Sequence, residues 1–387
     1  VTAHDAFSSP SGDDAPETPL DRALRDVIEA AGIPANADLV ERILADGVGV
    51  GQDGADRLDL KIASTALAEM REAFDLFAQY RGRPKVTVFG SARTQPDDVI
   101  YGMTRAVASR LADRGWMVVT GAGPGVMQAA TEGAGDDHSI GVSIRLPFEA
   151  PNPTFADAGN LVTMKYFFTR KLMLVKESKG FVCVPGGFGT LDELFELLTL
   201  QQTGKGSPTP IVLLDRPVDA DGGAATGADR GRTHPVESFW SGLRRFADQQ
   251  LIPSGVISAD DLDRVLITDS VDAAVEEISG FWRNYDSLRW VGSRLILRLR
   301  AEPTDGELAQ LNRDFRVLSP ELGIVRTHPL RPEVKDQDRL SLPRLALQPS
   351  PRQIGRLHQL IRAVNALPSA PAAEPSQPLS APTRARS

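Results

Sequence analysis

Residues 84–285 predict an α/β fold, a parallel sheet with helices on both faces. Three observations carry this. Short β-rich runs recur along the stretch. They are near-continuously apolar rather than alternating, as strands covered on both faces must be. Helical periods separate them, which gives each strand the crossover it needs to return parallel to its neighbour. The runs are "KVTVFG" (85–90), "WMVVTG" (116–121), "IGVSIRL" (140–146), "LVTM" (161–164), "GFVCV" (180–184) and "PIVLLD" (210–215), and "RVLITD" (264–269) with a helix from Val271 to Phe281 closes the layer.

The flanks read differently. Residues 1–17 are small and polar and predict disorder. Residues 18–83 predict a helical extension of three helices. The first, in "TPLDRALRDVIEAAG", has a threonine cap, Pro19 in its first turn and Gly32 as its stop. A second is expected near 37–46. A third, near 56–80, spaces Leu58, Ile62, Met70, Phe74 and Phe77 at helical intervals. Within the α/β stretch, residues 216–236 have loop composition and read as a flexible insertion. Residues 286–366 predict a small α+β module: a strand in "RLILRLR", a helix in "DGELAQLNRDF", strands in "GIVRTH" and "PRLALQ", and a helix in "SPRQIGRLHQLIRAVN". The Pro/Ala/Ser-rich tail 367–387 predicts disorder.

Composition narrows the function. The chain of 387 residues has a formal net charge of -8, which argues against nucleic acid as a partner, because such binding needs concentrated positive surface. Cys183 is the sole cysteine, so an intrachain disulfide framework is impossible. The five histidines are scattered without ligand-like spacing, and no metal site is expected. No apolar run has secretory or membrane-spanning length, and a soluble, cytoplasmic protein without a membrane partner is the expectation.

Ligands of parallel α/β sheets bind outside the carboxyl ends of the strands. Three predicted strand ends carry unusual residues: "FGSAR" (89–93), "TGAGPGVM" (120–127) and "PGGFGT" (185–190). Glycines let backbone N–H groups approach a ligand, and a following helix start favours negative charge. Each loop alone is weak; "GAGPG" spaces Gly121, Gly123 and Gly125 two apart and does not make a dinucleotide fingerprint. The three together point to an anion-binding crevice. Thr190 and Glu193 also spell T-x-x-E at a helix start, which is the signature of a capping box with no role beyond the helix. Upstream, "KYFFTRKLMLVKES" (165–178) reads as a helix carrying Arg170 and Lys171 among apolar residues. The pair is open to two readings, a solvated basic turn or a reach into the crevice.

These residues resemble the LONELY GUY (LOG) family, whose members are often labelled lysine decarboxylases. Its hallmark P-G-G-x-G-T-x-x-E stands here from Pro185 to Glu193, with an Arg-Lys pair at Arg170-Lys171 on the preceding helix. The resemblance covers about 84–283. It implies a modified Rossmann fold and an N-glycosyl hydrolase: a phosphoribohydrolase that cuts a nucleoside 5′-monophosphate, a cytokinin riboside monophosphate or an AMP-like nucleotide, to free base and ribose 5-phosphate. It further implies Arg170 and Glu193 as catalytic residues. Ser91, Gly123, Gly125, Lys171, Gly186, Gly187, Gly189 and Thr190 would bind substrate and phosphate. A homodimer or higher homo-oligomer is implied too. No cofactor is expected, since nothing singles out a lysine for a pyridoxal Schiff base. Where many plant-type members read Met-His, this chain has Phe167 and Phe168, with Thr169 before Arg170. That departure makes a broad purine/pyrimidine nucleotide nucleosidase the enzymatic alternative. A nucleotide or cofactor carrier or sensor without hydrolysis is the alternative from another class.

Overall fold

The computed structural model describes residues 18–145, 159–217, 238–350 and 355–372. The segments read above as disordered or inserted, 1–17, most of 216–236 and most of 367–387, lie outside the described residues. Contacts divide the chain at Phe74 into a unit over Ala3–Phe74 and a larger unit from Asp75 onward.

The first unit holds α1 (Pro19–Ala30), α2 (Ala37–Gln52) and most of α3 (Arg57–Ala78). Thr18 caps α1 through a capping box: its Oγ1 accepts from the Asp21 N–H at 3.2 Å while the Asp21 carboxylate accepts from the Thr18 N–H at 2.9 Å. Gly32 takes a left-handed φ of 63° just past the helix end, the conformation a stop signal needs. Leu24 and Ile28 are the buried residues of α1, and Arg25 pairs with Glu41 of α2 at 3.6 Å.

In the larger unit, β1 (Lys85–Phe89), β2 (Met117–Thr120), β3 (Ser139–Ile144), β4 (Leu161–Met164), β5 (Phe181–Cys183), β6 (Ile211–Leu214) and β7 (Val265–Thr268) form one sheet in the order β4-β3-β2-β1-β5-β6-β7. Every neighbouring pair is parallel. Between the strands run α4 (Val99–Asp113), α5 (Val126–Ala134), α6 (Phe167–Lys176), α7 (Phe188–Gln202) and α8 (Phe239–Phe246), and α9 (Val271–Gly280) follows β7. One core joins valines of β1, β2, β5 and β6 to Ile100, Val107 and Leu111 of α4 and Ala274 and Ile278 of α9. The strand residues of the opposite parity, among them Thr87, Phe89, Val119, Phe181 and Cys183, are buried as well, so these central strands are covered on both faces, as their composition requires.

The chain builds outward from β1 through β4, then crosses back to place β5 on the other side of β1. The order reverses between β1 and β5. A crevice opens at the carboxyl ends of strands at such a switch point, because the loops leaving the two strands diverge. Gly90 and Ser91 follow β1, and Pro185 to Gly187 follow β5.

The rest of the unit is a four-stranded antiparallel sheet of order β10-β11-β9-β8, made of β8 (Tyr285–Val291), β9 (Arg294–Leu299), β10 (Val325–Arg326) and β11 (Arg344–Leu347). It packs with α10 (Asp305–Asp314) and α12 (Leu357–Asn365) around Leu295, Leu297, Leu299, Leu311, Leu360 and Ile361, and α11 (Arg331–Lys335) completes it. The sequence predicts neither β8 nor α11. A register shift between Tyr285 and Ser287 breaks the two-residue alternation of β8. The second missed element, α11, has five residues, too few to show a helical period.

Candidate active site

The three loops meet in space. The Ser91 N–H donates to the Pro185 carbonyl at 3.3 Å, tying the β1 loop to the β5 loop. The Val126 N–H donates to the Ser91 carbonyl at 3.0 Å, tying the β1 loop to the β2 loop. Gly125 makes the second contact possible. Its φ is 66°, and a Cβ there would stand 2.5 Å from the Ser91 carbonyl oxygen, so any other residue would be strained and would clash. Within the β2 loop, Ala122 holds a left-handed φ of 55° and its N–H donates to Thr120 Oγ1 at 3.1 Å. On the β1 loop the Arg93 N–H donates to Ser91 Oγ at 3.1 Å.

The capping-box reading of Thr190 and Glu193 is overturned. Helix α7 begins at Phe188 with Gly187 as its N-cap, and no side chain caps it. Thr190 is the third helical residue, so Glu193 falls in the next turn and cannot reach a cap three residues behind Thr190. The first N–H groups of α7 are therefore left without a side-chain acceptor, at the end of the helix where its dipole favours an anion. A Cβ on Gly187 or Gly189 would meet nothing within 4 Å, so open space lies beside both. Thr190 is buried, with its hydroxyl over Gly186.

Glu193 is turned inward. It is 8% exposed, and its Oε2 is buried with no hydrogen-bond partner among the described residues. Burial, chiefly, raises its pKa from the ordinary 4.5 to about 7. Lys171 and Arg170 pull it down, Glu196 and Asp192 push it up, and desolvation prevails. A carboxyl that titrates near neutrality can serve as either acid or base under physiological conditions.

Arg170 reaches the same place from α6. Its Nε donates to the Val142 carbonyl of β3 at 2.9 Å, and its Nη2 lies 3.5 Å from the Gly121 carbonyl. A Cβ on Gly121 would sit 2.0 Å from that Nη2, so the guanidinium occupies space that glycine leaves bare. Burial pushes the guanidinium below its usual range and the Glu193 charge opposes this, which links the two residues electrostatically.

Lys171, expected at the phosphate, is engaged by carboxylates of α7. Its Nζ is held by Asp192 at 2.7 Å and Glu196 at 2.8 Å, one turn apart on α7. The ammonium therefore clamps α6 to α7 and spreads its charge over three carboxylates, Glu193 among them. Sequence reasoning missed Gly121, Val142, Asp192 and Glu196. The i, i+4 spacing of Asp192 and Glu196 was the available signal for the last two. The remaining residues, Ser91, Gly123, Gly125, Gly186, Gly187, Gly189 and Thr190, all fall on the three loops or the first turn of α7. Phe167 and Phe168 open α6, the helix of Arg170, with 62% and 56% of their surface exposed, and Phe188 opens α7 with 93% exposed. Among the described residues, no group of three or more His, Cys, Asp or Glu is placed to hold a metal ion, and no helix is long and apolar enough to cross a membrane.

Comparison with known proteins gives the same region. Residues 125–218 match the family model described as "Possible lysine decarboxylase". A cytokinin riboside 5′-monophosphate phosphoribohydrolase from Mycobacterium marinum is 28% identical over 201 residues, 50% of this chain and 93% of the relative. A protein of the same name from Mycobacterium tuberculosis is 29% identical over 175 residues, 44% of this chain and 80% of the relative. A pyrimidine/purine nucleotide 5′-monophosphate nucleosidase from Escherichia coli is 28% identical over 149 residues, 35% of this chain and 32% of the relative. Among solved structures, the molybdenum cofactor binding protein of Rippkaea orientalis aligns at a TM-score of 0.34 with 18% identity, over 50% of this chain and 94% of that one. Through its seven-stranded domain, the chain is similar to the LOG-type proteins named cytokinin riboside 5′-monophosphate phosphoribohydrolase.

Proposed function

We propose that the crevice at the β1/β5 switch point hydrolyses the N-glycosidic bond of a nucleoside 5′-monophosphate. Water adds to C1′, the bond from C1′ to the base nitrogen breaks, and the base leaves with a proton as ribose 5-phosphate forms. The observation that carries this reading is Glu193: a buried carboxyl with an unpartnered oxygen and a pKa of about 7, beside Arg170 and behind an uncapped helix start.

Each part has a task in that reaction. The free N–H groups at the start of α7, with the Thr190 hydroxyl and the backbones of Gly186, Gly187 and Gly189, receive the 5′-phosphate. Ser91, Gly123 and Gly125 form the opposite wall. As the bond to the base lengthens, positive charge gathers on the ribose, as it does in glycoside hydrolysis. The Glu193 carboxylate stabilises that charge and takes a proton from the attacking water. Arg170, fixed by the Val142 carbonyl, offers its remaining N–H groups to the ribose hydroxyls or the departing base. Lys171 holds α6 on α7 and sets the field at Glu193 rather than touching the phosphate.

Base choice belongs to the aromatic side chains at the helix starts. Phe167 and Phe168 offer planar apolar surface, suited to a range of bases. Broad purine and pyrimidine acceptance is accordingly the second reading, alongside a cytokinin riboside monophosphate. The chain acts as a homo-oligomer on this reading, with the exposed aromatic residues near the site.

The test is release of free base and ribose 5-phosphate from AMP, GMP, CMP, UMP and isopentenyladenosine monophosphate. The Glu193→Ala variant is expected to lose about a hundredfold or more in rate while still binding the best substrate. A wild-type chain that binds a nucleotide and cleaves none of the panel would reduce the crevice to a carrier or sensor site.

A further inference from the structure

A second concave site lies at the opposite edge of the same sheet. Pro84, Trp116 and Lys179, each just ahead of a strand (β1, β2 and β5), line a cavity of about 990 Å³. The glycine loops leave the other ends of those strands, and the five residues of β1 put roughly 16 Å of strand between the two places. Arg300, just past β9, and Asn365, at the end of α12, form the far wall, so the cavity lies between the seven-stranded sheet and the four-stranded module.

Its charge is out of keeping with the chain. The net charge of the whole protein is -8, yet the wall of this cavity is strongly positive. Its two acidic residues are already paired, Glu276 with Arg114 and Glu277 with Arg362. Arg81, Arg83, Lys179, Arg283 and Arg300 remain in the wall, and none of them forms an ion pair among the described residues.

Their local bonding leaves cationic N–H groups available. Arg83 spends one nitrogen on the Asp137 carbonyl at 3.1 Å, while its Nε and Nη2 are buried with no partner among the described residues. Arg283 places its Nε on the Pro371 carbonyl at 2.7 Å. The Lys179 ammonium stands 4.8 Å from the centre of the Trp282 ring. Unpaired buried guanidinium nitrogens are costly, and like charges gathered around one space repel one another. A structure keeps such an arrangement where an anion completes it.

We propose that this cavity is a second small-molecule site, taking a ligand with two or more phosphate groups. Its volume lies within the range of small-ligand pockets. Four of its five uncompensated cations are arginines, whose forked donors bind phosphate oxygens in pairs. Nucleic acid is a poor fit to a concave pocket on an acidic chain. The site is independent of the reaction proposed at the glycine loops.

The test is calorimetric titration of the full chain with sodium tripolyphosphate at 150 mM NaCl, with citrate as a tricarboxylate of comparable charge. Tripolyphosphate is expected to bind at one site with Kd near or below about 100 µM, and more tightly than citrate. Arg81 and Arg300 are exposed, so Arg81→Glu with Arg300→Glu should leave the melting curve intact and weaken binding at least about tenfold. Arg83→Ala provides a second variant with the same expected loss. No binding at millimolar tripolyphosphate, affinity unchanged in the folded Arg81→Glu/Arg300→Glu variant, or citrate bound more tightly would each overturn the proposal.

Discussion

Glu193 in the seven-stranded domain and Glu333 in the four-stranded module are both buried, at 8% and 0% exposure, yet their surroundings treat the same carboxyl in opposite ways. Around Glu333 the partners are complete. Its Oε1 accepts from Arg298 at 2.8 and 3.0 Å and from Arg344 at 3.2 Å, and its Oε2 accepts from the Leu330 N–H at 3.0 Å. Burial alone would push its pKa up, but these hydrogen bonds and the Arg298 charge more than reverse that, and it lies below the usual carboxylate range. Around Glu193 burial prevails, one oxygen has no partner, and the pKa rises to about 7. Satisfied buried charge holds a structure together, whereas unsatisfied buried charge is held in readiness for something that arrives later.

Removing each charge should therefore move stability in opposite directions. Glu333→Gln leaves the buried Arg344 without its counter-ion and the buried Arg298 with Asp338 alone, at 2.7 Å. The loss expected is about 3–5 kcal/mol, measured by urea unfolding at pH 8. The Glu193 carboxyl has a folded pKa raised above its unfolded value, so folding takes up a proton between about pH 4.5 and 7. Stability falls as pH climbs through that window, and the deficit is complete above it. Glu193→Gln removes the deficit and should stabilise the chain by about 3 kcal/mol at pH 8 and by nothing measurable near pH 4. If both variants destabilise at pH 8, the two glutamates are not opposites and the functional reading of Glu193 is lost.

Activity sharpens the same contrast. The proposed reaction needs Glu193 as a carboxylate, so kcat/KM should fall about tenfold per unit as pH drops below about 7 and level off above it. The phosphate group of the substrate titrates nearby, so the profile is best compared with that of binding alone, read from the inactive Glu193→Ala variant. A rate constant flat from pH 5 to 8 after that comparison would separate the titration of Glu193 from catalysis.

The contrast also marks where sequence stops being informative. The parallel strands were legible because burial on both faces forces near-continuously apolar runs between helical periods, and β6, buried at all four positions, lies inside the run that indicates it. The three loops were legible because glycine at a strand end is costly without a purpose. What T-x-x-E could not reveal was the helix start. Gly187 takes the cap and draws Thr190 inside, a choice made by the packing of the β5 loop on Ser91 rather than by the four residues themselves. The partners of Lys171 were hidden for a related reason: Asp192 and Glu196 belong to α7, and the placement of that helix on α6 is tertiary. The paired state of Glu333, on α11, was equally hidden, since its arginines come from β9 and β11.

The smallest effect concerns Lys171, and it decides between the expected phosphate contact and the observed clamp. Its ammonium holds the Glu193 pKa down and at the same time neutralises Asp192 and Glu196, which push that pKa up. Lys171→Met removes the first influence and unmasks the second, so both changes act in one direction. The midpoint of the kcat/KM profile should move upward by about one pH unit, a loss of roughly fivefold, about 1 kcal/mol, at pH 7, while the plateau at high pH stays where it was. A lysine on the phosphate would behave otherwise: KM would rise at every pH with the midpoint unmoved, because a lost ground-state contact weakens binding without altering the titration of a neighbour. One pH series on one variant thus shows whether the Arg170-Lys171 pair acts as two contacts to the substrate, or as one contact and one charge that tunes Glu193.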